Sequence, residues 1–176
     1  MTNLIPLHVH TEYSLLDGMI RVADLVDYAK EAGFPAVAIT DHGVMYSAIE
    51  FYEKAKHEGV NPLIGCEFYV NTGDIHVHDS ANNPLYHLIL IAKDNKGYKN
   101  LIKLVSTAWC EGFYYKPRIN FELLEQYHEG LICTSACLGG EVLKNLMANE
   151  KEKAYATAKK YKELFGEDYY IELQDH

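Results

Sequence analysis

The chain has 176 residues, 48% of them hydrophobic and 23% charged, a balance that fits one globular domain with its own core and excludes disorder or a fibrous repeat. A formal net charge of −9, with no dense stripe of lysine and arginine, argues against general affinity for a nucleic-acid backbone. No apolar run approaches the length of a bilayer span and the N-terminus lacks the order of a signal peptide, so a cytoplasmic protein is expected.

The first apolar run, residues 5–9, reads as a strand and passes into His8-Val9-His10-Thr11. Imidazoles at i and i+2 of a strand point to one side, so His8 and His10 can reach one metal; the alternative is a hydrogen-bonded pair at a rim. Asp17, followed by Gly18, is an oxygen ligand or a turn residue. Residues 21–32 form an amphipathic helix with Val22, Leu25, Val26 and Ala29 on one face, stopped by Gly33 and Pro35. The second run, 36–40, leads into Thr40-Asp41-His42-Gly43. Asp41 can ligate a metal, cap the next helix or orient a histidine, and these roles stay open. A helix over 46–57 places Ile49, Tyr52 and Ala55 together and ends at Gly59. In the third run, 63–70, Glu67 stands among Leu63, Ile64, Phe68 and Val70, and a buried carboxylate is costly unless paired or bound to a cation.

Residues 73–84, with His76 and His78, lack periodicity and read as a surface insertion. His87 lies near the start of the fourth run, 85–92, where it is a site residue or a core or rim histidine. A helix over 98–109 aligns Leu101, Leu104, Val105 and Ala108, and Lys116 and Arg118 follow, either to meet a phosphate or, as expected, in a solvated loop. Further helices are expected at 121–127, 141–147 and 151–164, and strands at 131–134 and 169–173. His57 and His128 fall near helix ends as solvated or capping groups. Of the cysteines, Cys66, Cys110 and Cys133 read as small buried hydrophobes. Cys137, after the fifth run, adds a thiolate to the histidines and carboxylates, a set that suits zinc, while mixed nitrogen and oxygen ligands also admit manganese or iron.

Strands alternating with helices favour a parallel α/β sheet or barrel, with chemistry at the carboxyl ends of the strands. There His8, His10, His42 and Glu67 are expected to converge in one pocket, and with Asp41 they form the candidate catalytic set.

The motifs H-V-H-T, S-L-L-D-G, I-T-D-H-G, G-C-E-F-Y-V, Y-H-L-I-L-I-A and S-A-C-L-G-G-E-V occur in this order. Together the chain resembles the PHP domain, named for polymerases and histidinol phosphatase, in the version that begins bacterial DNA polymerase III alpha subunits. Segments 111–118 and 170–176 resemble that version too. The resemblance implies a distorted (β/α)7 barrel holding up to three divalent metals, with His8, His10, Asp17, His42, Glu67, His87 and Cys137 as ligands. The family also uses an Asp-x-His pair from a later strand, which the adjacent Asp175-His176 do not match. Residues 1–176 are therefore expected to be a PHP domain truncated before its last barrel elements, and weakly active or inactive in isolation. The implied function is metal-assisted phosphoester hydrolysis, as a 3′–5′ exonuclease, within a parent DNA-directed DNA polymerase. The implied partners are DNA, through the parent, and other replisome subunits, with no membrane. The alternatives are a structural metal domain that supports partners without turnover, and a free-standing phosphoesterase of the histidinol phosphatase type.

Overall fold

The computed structural model describes residues 4–15, 17–79 and 82–174, so the Asp175-His176 pair lies outside the described residues. Strands β1 (Ala36–Ile39), β2 (Asn61–Asn71), β3 (Leu85–Ala92), β4 (Arg118–Ile119), β5 (Leu131–Thr134) and β6 (Tyr169–Tyr170) form a six-stranded sheet in the order β1-β2-β3-β5-β6, with β4 paired to β2. The helices are α1 (Val22–Glu31), α2 (Ala48–Glu58), α3 (Asn95–Cys110), α4 (Phe121–Tyr127), α5 (Glu141–Met147) and α6 (Lys151–Phe165). None of the described helices is long and apolar enough to cross a membrane.

The sheet is mixed rather than parallel throughout. β1 and β4 run parallel to β2, and β6 parallel to β5, but β3 is antiparallel to both β2 and β5. The reason lies in the connection: no helix is described between β2 and β3, and without a crossover the chain can only return alongside β2 in the opposite sense. Residues 5–9, expected as the first strand, form none and bend at His8; the N–H groups of Ala38 and Thr40 donate to the carbonyls of Pro6 (2.9 Å) and Val9 (2.8 Å). The last expected strand shortens to Tyr169–Tyr170. Among the described residues the sheet does not close, so the α/β barrel is open.

The two faces of the sheet have different occupants because strand side chains alternate. Cys66, Phe68 and Val70 of β2 join Leu88, Leu90, Leu131 and Cys133 under Leu101 and Leu104 of α3, Leu124 of α4 and Tyr161 of α6. Val37, Ile39 and Ile64 pack with α1 and α2. On the opposite face, Ala38, Ile89, Ile91 and Ala136 form a small apolar floor, and Glu67 emerges above it.

Three local expectations are corrected. The buried stripe of α2 is Ala48, Phe51 and Ala55, whereas Ile49 and Tyr52 are exposed; the two stripes share Ala55, and docking on α1 and Ile64 sets the phase. Cys110 is exposed. Arg118 is buried, its guanidinium donating to the carbonyls of Gly112 (2.8 Å), Val77 (3.0 Å) and Ile75, which fastens the irregular segment after β2 to the loop after α3. His76 and His78 of that segment are exposed, as expected of a surface insertion.

Candidate metal centre

Glu67 is the hub. It sits on the inner face of β2 with a fully buried side chain, and β1 is too short to cover it, so the chain beyond β1 pairs with it instead: Glu67 N–H donates to Asp41 O (3.0 Å) and Gly43 N–H to Glu67 O (2.8 Å). This brings His42 Nδ1 to 3.1 Å from Glu67 Oε2. The same oxygen lies 2.6 Å from His10 Nε2 and 3.3 Å from His8 Nε2. Both imidazoles of the His-x-His do reach Glu67, although the segment that carries them bends at His8 and is not a strand of the sheet.

His87 enters from the reversed strand. Because β3 is antiparallel to β2, its amino end lies beside the carboxyl ends of its neighbours, with His87 opposite Tyr69, and His87 Nδ1 comes to 2.7 Å from Glu67 Oε1. Position near the start of a strand, awkward in a parallel sheet, is thus the position that reaches the site. Cys137 arrives after β5 through a turn in which Ala136 adopts φ 57, a left-handed conformation unfavourable for alanine. Its Sγ stands 3.4 Å from His87 Nδ1 and 3.7 Å from Glu67 Oε1.

Asp17 is brought back by a loop closed on itself. The Gly18 N–H donates to Ser14 O (2.9 Å), and Gly18 packs so tightly that a Cβ there would lie 1.8 Å from Thr11 O. Asp17 Oδ2 is 3.1 Å from His10 Nδ1 and 2.9 Å from His42 Nε2. Three overlapping groups result, namely His8, His10 and Glu67; His10, Asp17 and His42; and His42, Glu67 and His87, each with ligand atoms within 4.8 Å of one another.

Asp41, the remaining member of the candidate catalytic set, lies outside these three groups. It is buried, and its carboxylate accepts from Thr11 N (2.6 Å), Thr11 Oγ1 (2.8 Å), Ser14 Oγ (2.7 Å) and Ser47 Oγ (2.9 Å). With both oxygens occupied it ties the Asp17 loop to the start of α2, and Ser14 Oγ in turn accepts from His42 N (3.1 Å). Conversely, Glu172 was not singled out by sequence. Its Oε1 lies 2.7 Å from His8 Nδ1, and its Oε2 accepts from Thr134 Oγ1 at 2.7 Å. The available signal was the one that marked Glu67, a carboxylate between apolar residues of a late run.

The electrostatics follow from this crowding. Burial opposes ionisation of Glu67, yet hydrogen bonds from His10, His8 and His87, with the charge of His42, hold its carboxyl well below the usual range. Burial lowers the pKa of His8, but Glu172 and Glu67 outweigh it and raise it to about 10. For His87 burial is likewise outweighed, by Cys137 and Glu67, and the pKa rises to about 9. His42 goes the other way, lowered by burial despite Glu67. Its Nδ1 is buried and makes no hydrogen bond, although Glu67 Oε2 is within 3.1 Å: the two atoms are close but not aligned to share a proton. A lone pair so placed is what a cation between them would use, and the donor set of imidazoles, carboxylates and a thiol suits a divalent transition metal.

The model of the PHP domain family matches residues 6–176. The chain is 49% identical to a DNA polymerase III subunit alpha of Aquifex aeolicus over 98% of its own length, and 46% identical to one of Borreliella burgdorferi over 99%. It spans 15% of the length of each of these relatives. An amidohydrolase from Chromobacterium violaceum, solved with bound sulfate and no metal, matches 97% of this chain and 85% of its own at 15% identity with a TM-score of 0.52, a likeness of fold.

Proposed function

The chain belongs to the PHP domain family, and from that premise we propose that it is the PHP domain of a DNA polymerase III alpha subunit, with a multinuclear metal site that hydrolyses phosphodiesters at a DNA 3′ end. The supporting observation is the buried Glu67 carboxylate, which faces the imidazoles of His8, His10, His42 and His87 within 3.3 Å. Such a carboxylate is a poor structural element and a good bridging ligand.

His8, His10, Asp17, His42, Glu67, His87 and Cys137 would hold the ions, zinc, manganese or iron, up to three in number. Bound there, divalent cations supply Lewis-acid stabilisation of charge on a phosphoester oxygen and a lowered pKa for water. Glu172 holds the outer nitrogen of His8 and so orients its inner one. Tyr69, stacked on His42 with ring centroids 5.5 Å apart, keeps its hydroxyl proton: burial, Glu67 and Asp17 push its pKa up to about 12. Asp17 and His42 border an open cleft, the side from which an ester can enter. Residues 1–176 act in this reading as one domain of a longer cytoplasmic polymerase, which supplies contact with DNA and with other replisome subunits.

Metal analysis of the purified protein, paired with release of 3′-terminal nucleotides from single-stranded DNA in zinc or manganese, tests the proposal. Bound metal and metal-dependent release, both lost in His10→Ala, are expected. Full metal content with no hydrolysis in the complete polymerase overturns the catalytic reading in favour of a structural centre, and hydrolysis of phosphomonoesters alone favours the free-standing phosphatase.

A further inference from the structure

We propose that the cleft beside Asp17 and His42 is a stacking subsite for the bases of a single-stranded polynucleotide whose end lies at the metal centre. The inference rests on the phosphodiesterase reading above and adds the residues that would recognise the substrate.

The cleft measures about 490 Å³ and shares Asp17, His42 and Tyr69 with the centre, while its outer wall carries Tyr46, Trp109, Phe113 and Tyr115. An ester bound at the ligands therefore has its substituents against aromatic rings. The rings are unusually exposed for their size, Tyr115 at 79% and Tyr46 at 67%, and Trp109 and Phe113 already form a parallel platform with centroids 5.2 Å apart and planes 15° apart. Flat, solvent-facing rings beside a backbone-binding site are how sequence-tolerant single-strand sites are built, because every base offers a π-face.

The platform is held rather than loose. The Trp109 indole donates from Nε1 to Gly43 O at 2.8 Å, which ties it to the residue after His42. Gly43 has φ +64 and packs where a Cβ would lie 2.6 Å from Pro117 Cγ; only glycine lets the aromatic loop sit this close to the metal ligands. The loop turns at Tyr115, at φ 59, and closes with Tyr114 N–H donating to Lys116 O at 3.1 Å. Tyr114 is stacked on His78 with planes 7° apart and lies against the buried Arg118 guanidinium. A left-handed tyrosine held in place by such bracing projects its ring into water instead of into the core.

Charge favours the same occupant. Asp17 and Lys116 are the charged Asp, Glu, Lys or Arg side chains on the lining. Asp17 belongs to the metal centre, whereas the Lys116 ammonium lies over the Tyr69 ring, 5.1 Å from its centroid, where it can meet the phosphate of the next nucleotide. The protein is otherwise strongly acidic, so a lone cation between a metal cluster and a stacking platform marks a short track, consistent with a few terminal nucleotides and not with a long duplex footprint.

Trp109 is the sole tryptophan of the chain, which makes its fluorescence a direct report of stacking. The zinc-loaded protein is titrated with a short oligothymidylate and with an abasic phosphodiester oligomer of the same length and charge. Saturable quenching by the first, and binding weaker by ~10-fold or more for the second, is expected from the loss of base stacking. The double variant Phe113→Ala, Tyr115→Ala, which removes two exposed rings, should weaken oligothymidylate binding ~10-fold or more at unchanged zinc content. Tyr155→Ala on α6 should leave it unaltered. Equal affinity for base-bearing and abasic oligomers overturns the subsite, as does an unaltered affinity in the double variant; either is the outcome expected if the cleft instead receives a protein segment. Should the double variant lose zinc, the comparison of the two oligomers on the unsubstituted chain still decides. Base-dependent quenching without 3′-end release leaves the subsite standing and refutes the hydrolytic function; release without base dependence does the reverse.

Discussion

Replacing Asp41 by asparagine separates a residue that positions the centre from one that takes part in chemistry. Asp41 is 1% exposed, and its two oxygens accept four hydrogen bonds from Thr11, Ser14 and Ser47. Asparagine keeps the shape but accepts on one oxygen only. If that oxygen faces Thr11 N and Ser14 Oγ, the new amide N–H groups confront the hydroxyls of Thr11 and Ser47, which must turn round to accept. Hydrogen bonds to a charged acceptor contribute about 1.5–3 kcal/mol each, so losing the charge and two of these contacts is expected to cost about 3–5 kcal/mol. At a urea slope of roughly 2 kcal/mol/M the unfolding midpoint then falls by roughly 2 M. The loop carrying Asp17 loosens as well, and since Ser14 also holds His42 N, metal should be lost first from the group of His10, Asp17 and His42. Urea unfolding followed by circular dichroism, with metal analysis on the same samples, measures both effects. An unchanged midpoint with hydrolysis abolished would falsify the positioning role and return Asp41 to the reacting atoms.

Further substitutions probe the ligands themselves. His8→Ala with His10→Ala leaves only the His42, Glu67 and His87 group among the three described, so zinc content should fall to about one ion per chain or less by mass spectrometry; undiminished stoichiometry would exclude both imidazoles as ligands. Glu172→Gln keeps an acceptor for His8 Nδ1 but removes the charge, and metal affinity measured by calorimetry should fall by ~10-fold, while the urea midpoint of the metal-free protein at neutral pH should fall as well, because Glu172 is the first of the groups that raise the His8 pKa. Metal binding should also release protons. His8 and His87, raised to about 10 and about 9, are protonated at neutral pH without metal, and a cation must displace both. Affinity is therefore expected to climb as pH rises and to level off once pH passes these values, and calorimetry in buffers of different ionisation enthalpy counts the protons. For the metal-free fold the sign is opposite: the stability that the raised imidazoles contribute is complete below their ordinary pKa of 6.5 and is lost as pH rises through about 9 to about 10.

Much of this molecule can be read from local pattern. The spacing of Val22, Leu25, Val26 and Ala29 and the stop at Gly59 depend on backbone period and nearest neighbours, and both recur in the fold. Glu67 was legible for an energetic reason, since a carboxylate inside an apolar run must be neutralised by something. What the tertiary structure alone decided has a common cause: a side-chain pattern of period two carries no strand direction, and a polar residue at a strand end carries no label for its partner. The reversal of β3 turned on a connection without a described helix, and it placed His87 at the centre. Asp41 and Glu67 look alike in sequence, each one beside a histidine-bearing motif or an apolar run. Yet donors from Thr11, Ser14 and Ser47 surround the first, while imidazoles from three distant segments surround the second. Glu172 and the aromatic cleft became visible only when residues 164 positions apart were brought together at His8 and when α3 was anchored to Gly43, because long-range proximity is set by packing and not by spacing along the chain.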